Sequence, residues 1–174
     1  VKYDLDNGTF SDIVNNIPNN GINKEIKLLI KGDILYASIG SNTNSGVVDS
    51  PGAEVDIPSF HWILSGKKYG SGGTSGFCKY SESAQEDSTI NEGKLSNASI
   101  ISCNLIDNEI TTYATGIRNV KGYSITSDGK IIAIVGGVED SGARPLANDK
   151  DYIYMIKEKS WYGWPDFSGG DPVN

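Results

Sequence analysis

The residues best equipped for chemistry lie in three short stretches of the second half of this chain. Gly116-Ile117-Arg118-Asn119 sets a guanidinium beside a carboxamide, with Gly122 following. An arginine fork grips a carboxylate bidentately, and an asparagine amide both donates and accepts. Gly142-Ala143-Arg144-Pro145 offers a second guanidinium, held by the proline after it. Trp161-Tyr162-Gly163-Trp164-Pro165 puts two indoles and a phenol within five residues. Such rings suit the face of a flat conjugated ligand or of a sugar. Each stretch also has a plainer reading. An arginine can pin a turn by bonding backbone carbonyls, and Trp164 with the Pro165 turn can simply lock strands together.

The elements that must position these groups read as strands. Val1 to Leu5 alternates apolar and polar residues, Asp6-Asn7-Gly8 supplies a hairpin turn, and Thr9 to Val14 returns. Ile26 to Ile30 is a short apolar run, Lys31-Gly32-Asp33 a turn, and Ile34 to Ile39 a buried strand ending at Gly40. Residues 41–97 break this rhythm with Ser, Gly, Asn and Asp, and hold one strand candidate, His61 to Leu64. The rhythm resumes with strands at Ala98 to Leu105 and Glu109 to Tyr113 around Asp107-Asn108. Tyr123 to Thr126 and Lys130 to Val135 then pair across Ser127-Asp128-Gly129, and Asp151 to Ile156 follows. The chain is therefore expected to be all-β and a single segment over 1–174. Its parts are a first blade unit at 1–40, a long irregular insertion at 41–97, a second unit at 98–137 and the start of another at 138–174. Repetition of a roughly four-stranded unit is the mark of a propeller.

Composition narrows the function classes. The 174 residues carry a net charge of −7, with 21% charged and 37% hydrophobic residues, and the pI is about 4.6. That acidity argues against nucleic acid or an anionic membrane as partner. No apolar run approaches the roughly 18 residues of a membrane-spanning helix. The chain starts at Val1 with no charged n-region or cleavage site, so any leader is expected to be absent or already removed. Cys78 and Cys103 are the two cysteines; a disulfide in an oxidising compartment and two buried thiols are both open readings. Asn7-Gly8-Thr9 and Asn97-Ala98-Ser99 fit the N-glycosylation pattern. No Ser-His-Asp, HExxH, P-loop or CxxC pattern is present, so hydrolase, zinc protease and nucleotide readings have no support from motifs; a calcium-dependent lactonase on a related propeller stays open in principle.

Taken together, Gly116-Ile117-Arg118-Asn119, Gly142-Ala143-Arg144-Pro145 and Trp161 to Gly170 resemble the C-terminal half of the glucose/sorbosone dehydrogenase family, in its sorbosone-type branch. The resemblance runs from about Ile34 to Val173 and takes in Ser41-Asn42-Thr43-Asn44-Ser45-Gly46. On its residues alone, that stretch is a polar loop that lines a channel mouth or is solvated. The resemblance implies a six-bladed β-propeller, of which this chain would supply about three blades. It implies an exported, extracytoplasmic protein that oxidises an aldose or sugar aldehyde by hydride transfer to Ca²⁺-bound pyrroloquinoline quinone. It would place Arg118, Asn119, Arg144 and Trp164 against the quinone, and the carbonyls of Gly137 and Val138 on the calcium. Half a propeller leaves open edges, so either self-association or a further half-propeller is expected.

One departure bears on activity. Relatives carry a histidine base, after an asparagine, just before the strand pair corresponding to Ile26 to Ile39. This chain has Gly21-Ile22-Asn23-Lys24-Glu25 there. Its single histidine, His61, lies elsewhere, so no catalytic residue is assigned. Glu25 could replace an imidazole only if burial raised its pKa. The alternative function is a non-catalytic propeller that binds a sugar, a polysaccharide or a protein.

Overall fold

The computed structural model describes residues 1–17, 21–47, 97–142 and 144–173, together with the backbone of residues 62–63, 68–69, 72–73 and 89–90. His61, Cys78 and Ala143 lie outside the described residues. All regular structure among the described residues is β. No helix there is long and apolar enough to cross a membrane.

Strands β1 (Lys2–Tyr3) and β2 (Phe10–Ser11) pair antiparallel across the Asp6-Asn7-Gly8 turn. Then come β3 (Leu28–Lys31) and β4 (Ile34–Ile39). Within 41–97, β5 (Trp62–Ile63) pairs with β8 (Thr89–Ile90), and β6 (Lys68–Tyr69) with β7 (Gly72–Gly73). β9 (Ser99–Asn104), β10 (Ile110–Thr115), β11 (Val120–Ile125), β12 (Ile131–Val135) and β13 (Tyr152–Ile156) follow, within a residue or three of the expected limits. β14 (Ser160–Trp161), β15 (Phe167–Ser168) and β16 (Asp171–Pro172) end the order.

Two sheets carry the architecture, and neither closes on itself. One has five strands in the order β14-β10-β9-β4-β3; the other has three, β11-β12-β13. β4 pairs along its whole length with β9, Ile34 opposite Asn104 through Ile39 opposite Ser99. The strand that ends the 1–40 unit thus lies beside the strand that opens the 98–137 unit, while β11 and β12 go to the other sheet. Strands β3, β4, β9 and β10 form one antiparallel meander, with 41–97 falling between β4 and β9 in the sequence. β14 adds to β10 in parallel, an addition that two residues of sequence give no periodicity to reveal.

The core sits between the sheets. Tyr36, Ile100 and Ala114 of the five-stranded sheet pack with Ile131, Ala133, Val135 and Ile156 of the three-stranded one, and Ile117 and Val120 close the link between them. Alternation along each strand brings these residues to one face. Full burial of each large aliphatic side chain contributes roughly 1.5–3 kcal/mol. By contrast, the β1–β2 hairpin rests on a Tyr3–Phe10 ring contact, which adds about 0.5–1.5 kcal/mol, and Leu5 and Phe10 stay exposed. The inter-sheet core therefore fixes the positions of the loops described below. Cys103, on β9, is a buried free thiol.

Candidate functional site

The loop that leaves β4, Ser41 to Gly46, is buried at every residue; it is neither solvated nor the mouth of a channel. Small polar residues let it run through the interior because they bond one another and the chain around them. Ser41 N donates to Arg118 O at 2.7 Å, Ser41 Oγ to Thr43 O at 2.7 Å, and Gly46 N to Thr43 Oγ1 at 2.9 Å.

Asn44 is the hub. Its Nδ2 donates to the carbonyls of Glu139 and Ser141 at 2.8 and 2.9 Å. Its Oδ1 accepts from Glu139 N and Arg118 Nη2, both at 2.8 Å. Its backbone carbonyl accepts from Arg118 Nε at 3.0 Å and Trp164 Nε1 at 2.9 Å. Six bonds use the full capacity of the side-chain amide and of the carbonyl. Nothing in the sequence singles out Asn44 among its polar neighbours. The available signal was an uncharged polar run directly after a buried strand.

The two arginines hold the same loop from either side. Arg118 is buried and lies 3.3 Å from Glu139 Oε1, a carboxylate that is itself largely exposed. Burial pulls the Arg118 pKa down, and Glu139 partly restores it. Arg144 Nη1 donates to Ser45 O and Pro165 O at 3.1 and 3.2 Å, and its Nη2 to Val173 O. Ser45 Oγ returns a bond to Arg144 O at 2.6 Å. Asp166 Oδ1 lies 4.0 Å from Arg144 Nη1, with both side chains buried. Trp164 is 3% exposed and precedes a cis peptide to Pro165.

Asn119 donates from Nδ2 to Asn23 Oδ1 at 2.7 Å, and Asn23 Nδ2 donates to Ser41 Oγ at 2.8 Å. The stretch where the resemblance expects a base thus does reach the site, but through an amide. Glu25 pairs with Lys27 at 2.7 Å and is well exposed. The Lys27 hydrogen bond and charge lower its pKa, the opposite of what a stand-in base requires.

At Gly137 and Val138 the amides are taken. Gly137 N donates to Asp151 Oδ1 at 3.2 Å and Val138 N to Asp149 Oδ2 at 2.6 Å. A Cβ at Gly137 would sit 2.3 Å from Lys150 O, so this close approach requires glycine. Asp149 also accepts from Tyr152 Oη at 2.7 Å and Ser168 Oγ at 2.5 Å. Burial opposes its ionisation, but these bonds and those from the Val138 and Lys150 amides prevail and hold its pKa below the usual value. Among the described residues no group of three or more His, Cys, Asp or Glu is arranged to hold a metal. The carboxylates beside Gly137 and Val138 face their amides.

Arg118, Val138, Tyr152, Tyr154, Trp164 and Phe167 line a cleft of ≈ 10 Å³, room for about one water. Beside it, Trp161 is 42% exposed. Its indole donates to Trp164 O at 3.1 Å, meets Phe167 edge-on and covers Gly116, whose φ is +70°. The expected residues Arg118, Arg144 and Trp164, with Gly137 and Val138 nearby, are thus gathered around one loop. A tricarboxylate quinone does not fit this arrangement: the cleft is too small, and the guanidinium and amide donors named above already serve the chain's own carbonyls.

No family model, curated protein or solved structure matches this chain.

Proposed function

We propose that this chain is a sugar-binding segment of a β-propeller of the glucose/sorbosone dehydrogenase type, in which the quinone-gripping motifs have become structural braces. The observation that carries this reading is the use of Arg118 and Arg144: their donors are committed to Asn44, Ser45, Pro165 and Val173. What remains presented outward is aromatic. Trp161 offers an exposed ring edged by Phe167, the type of surface on which the C–H face of a pyranose stacks. Tryptophan fluorescence titrated with aldoses and short oligosaccharides tests it. Saturable quenching that Trp161→Ala abolishes is expected, and no response to any sugar removes the reading.

The second reading is the quinone-dependent sugar dehydrogenase itself. It is favoured by the convergence of the Arg118, Arg144 and Trp164 stretches on the Ser41–Gly46 loop, which a chance likeness would not require. Titration of pyrroloquinoline quinone with Ca²⁺ decides between the two. Saturable heat that a chelator removes would establish the second reading; its absence leaves the first.

A further inference from the structure

Resting on the sugar-binding reading above, we infer that the sugar is an acidic one, a pyranose that bears a carboxylate. Its carboxylate docks on the outward end of the Arg118 guanidinium, a place that the Glu139 side chain holds in the free protein.

Arg118 has two prongs on its side and two at its end. The side pair, Nε and Nη2, bonds Asn44 O and Oδ1. The end pair is Nη1 and the second N–H of Nη2. There Glu139 Oε1 lies 3.3 Å from Nη2, and Nη1 donates to no described residue. A guanidinium carries five N–H donors, so this buried side chain keeps part of its capacity for a partner outside the loop. It lines the water-sized cleft beside Tyr154 and Trp164. No sugar ring enters that cleft. A carboxylate need not enter it either, because Glu139 already reaches the guanidinium from the solvent side.

Glu139 is a replaceable arm on a fixed base. Its backbone N and O are both held by the Asn44 amide at 2.8 Å. Its side chain is 62% exposed and, among the described residues, pairs with Arg118 alone. An ion pair with a solvated partner is weak, since water takes the released carboxylate back. A ligand carboxylate set across Nη1 and Nη2 makes the bidentate contact that guanidinium geometry favours; Glu139 meets the fork at Nη2. Asp149 and Asp151 also act on the Arg118 charge, so a second anion added beside Glu139 would be repelled. Exchange of one carboxylate for another leaves the charge balance unchanged.

The ring of the sugar has its own support close by. Gly116 lines the same cleft as Arg118, and Trp161 covers Gly116 while keeping its indole 42% exposed. A uronic acid combines the two groups this surface receives, an apolar pyranose face for the indole and an acid for the guanidinium.

Calorimetric titration of the 174-residue chain with D-glucuronate, D-glucose and acetate tests this. Wild type should bind glucuronate at least about tenfold tighter than glucose, the worth of a charge-assisted contact. Glu139→Ala removes the competing arm and should tighten glucuronate by about a further tenfold, with glucose unchanged. Asp140→Asn removes the charge of the next residue, also exposed, and should leave both affinities as they are. Circular dichroism checks that each variant keeps the fold, since both altered side chains reach solvent. Glucose binding as tightly as glucuronate would overturn the proposal and leave the sugar-binding reading standing. So would a glucuronate affinity that Glu139→Ala leaves unchanged, one that Asp140→Asn raises equally, or acetate matching glucuronate. No heat with either sugar, in wild type or in Glu139→Ala, would remove both readings.

Discussion

Arg118 gives both its Nε and its Nη2 to a single residue, Asn44, which lies 74 positions earlier in the chain. The guanidinium is 4% exposed, and the carboxylate of Glu139 reaches it from the solvent side. The charge is therefore neutralised mainly by oriented dipoles of a buried loop, and whatever disturbs that loop leaves a cation stranded.

Asn44→Ala should destabilise the fold by about 3 kcal/mol, the range for leaving a buried charge short of partners. Chemical denaturation would show a lower midpoint at unchanged slope. Asn44→Asp keeps an acceptor for Arg118 but turns an oxygen toward the carbonyls of Glu139 and Ser141, so it should not restore wild-type stability. A neutral outcome for Asn44→Ala would remove this residue as the hub.

Arg118→Lys should also be costly, by about 2 kcal/mol, because an ammonium cannot reproduce the two-pronged contact. If Arg118 served only as a general positive charge, thermal unfolding of the lysine variant would match wild type.

Gly116→Ala tests the aromatic shelf. The position has φ +70°, and a Cβ would lie 2.4 Å from Trp161 Cδ1. A loss of about 2 kcal/mol is expected from backbone strain and clash together, with a changed Trp161 emission. Unchanged emission and stability would mean that the indole does not rest on this glycine.

Asp149 supplies a pH signature. Its pKa in the fold lies below the ordinary value of 3.8, set by hydrogen bonds that outweigh burial. A depressed carboxylate pKa stabilises the fold above the unfolded pKa, and that stability is lost as pH falls through the folded value. Melting temperature should therefore drop as pH is lowered below about 4, and the Asp149→Asn variant should start lower and show a flatter acid limb. An identical acid limb in both proteins would separate Asp149 from acid unfolding.

The sequence by itself determined the β character of the chain and most of its strand limits. Turn chemistry at Asp6-Asn7-Gly8, Lys31-Gly32-Asp33 and Ser127-Asp128-Gly129 is local, and so are the short apolar runs that mark β4 and β12. It also marked Arg118, Asn119, Arg144 and Trp164 as residues with something to hold. What they hold was decided by tertiary structure. Hydrogen-bond partners 74 to 120 residues apart leave no periodic trace, and a guanidinium looks the same in sequence whether it meets a carboxylate ligand or a backbone carbonyl. Burial of Ser41 to Gly46 was equally hidden, because a polar loop is ordinarily solvated unless distant groups saturate it. The pairing of β4 with β9 across the 41–97 stretch belongs to the same class. It follows from which apolar faces can be buried together, a property of the assembled sheets.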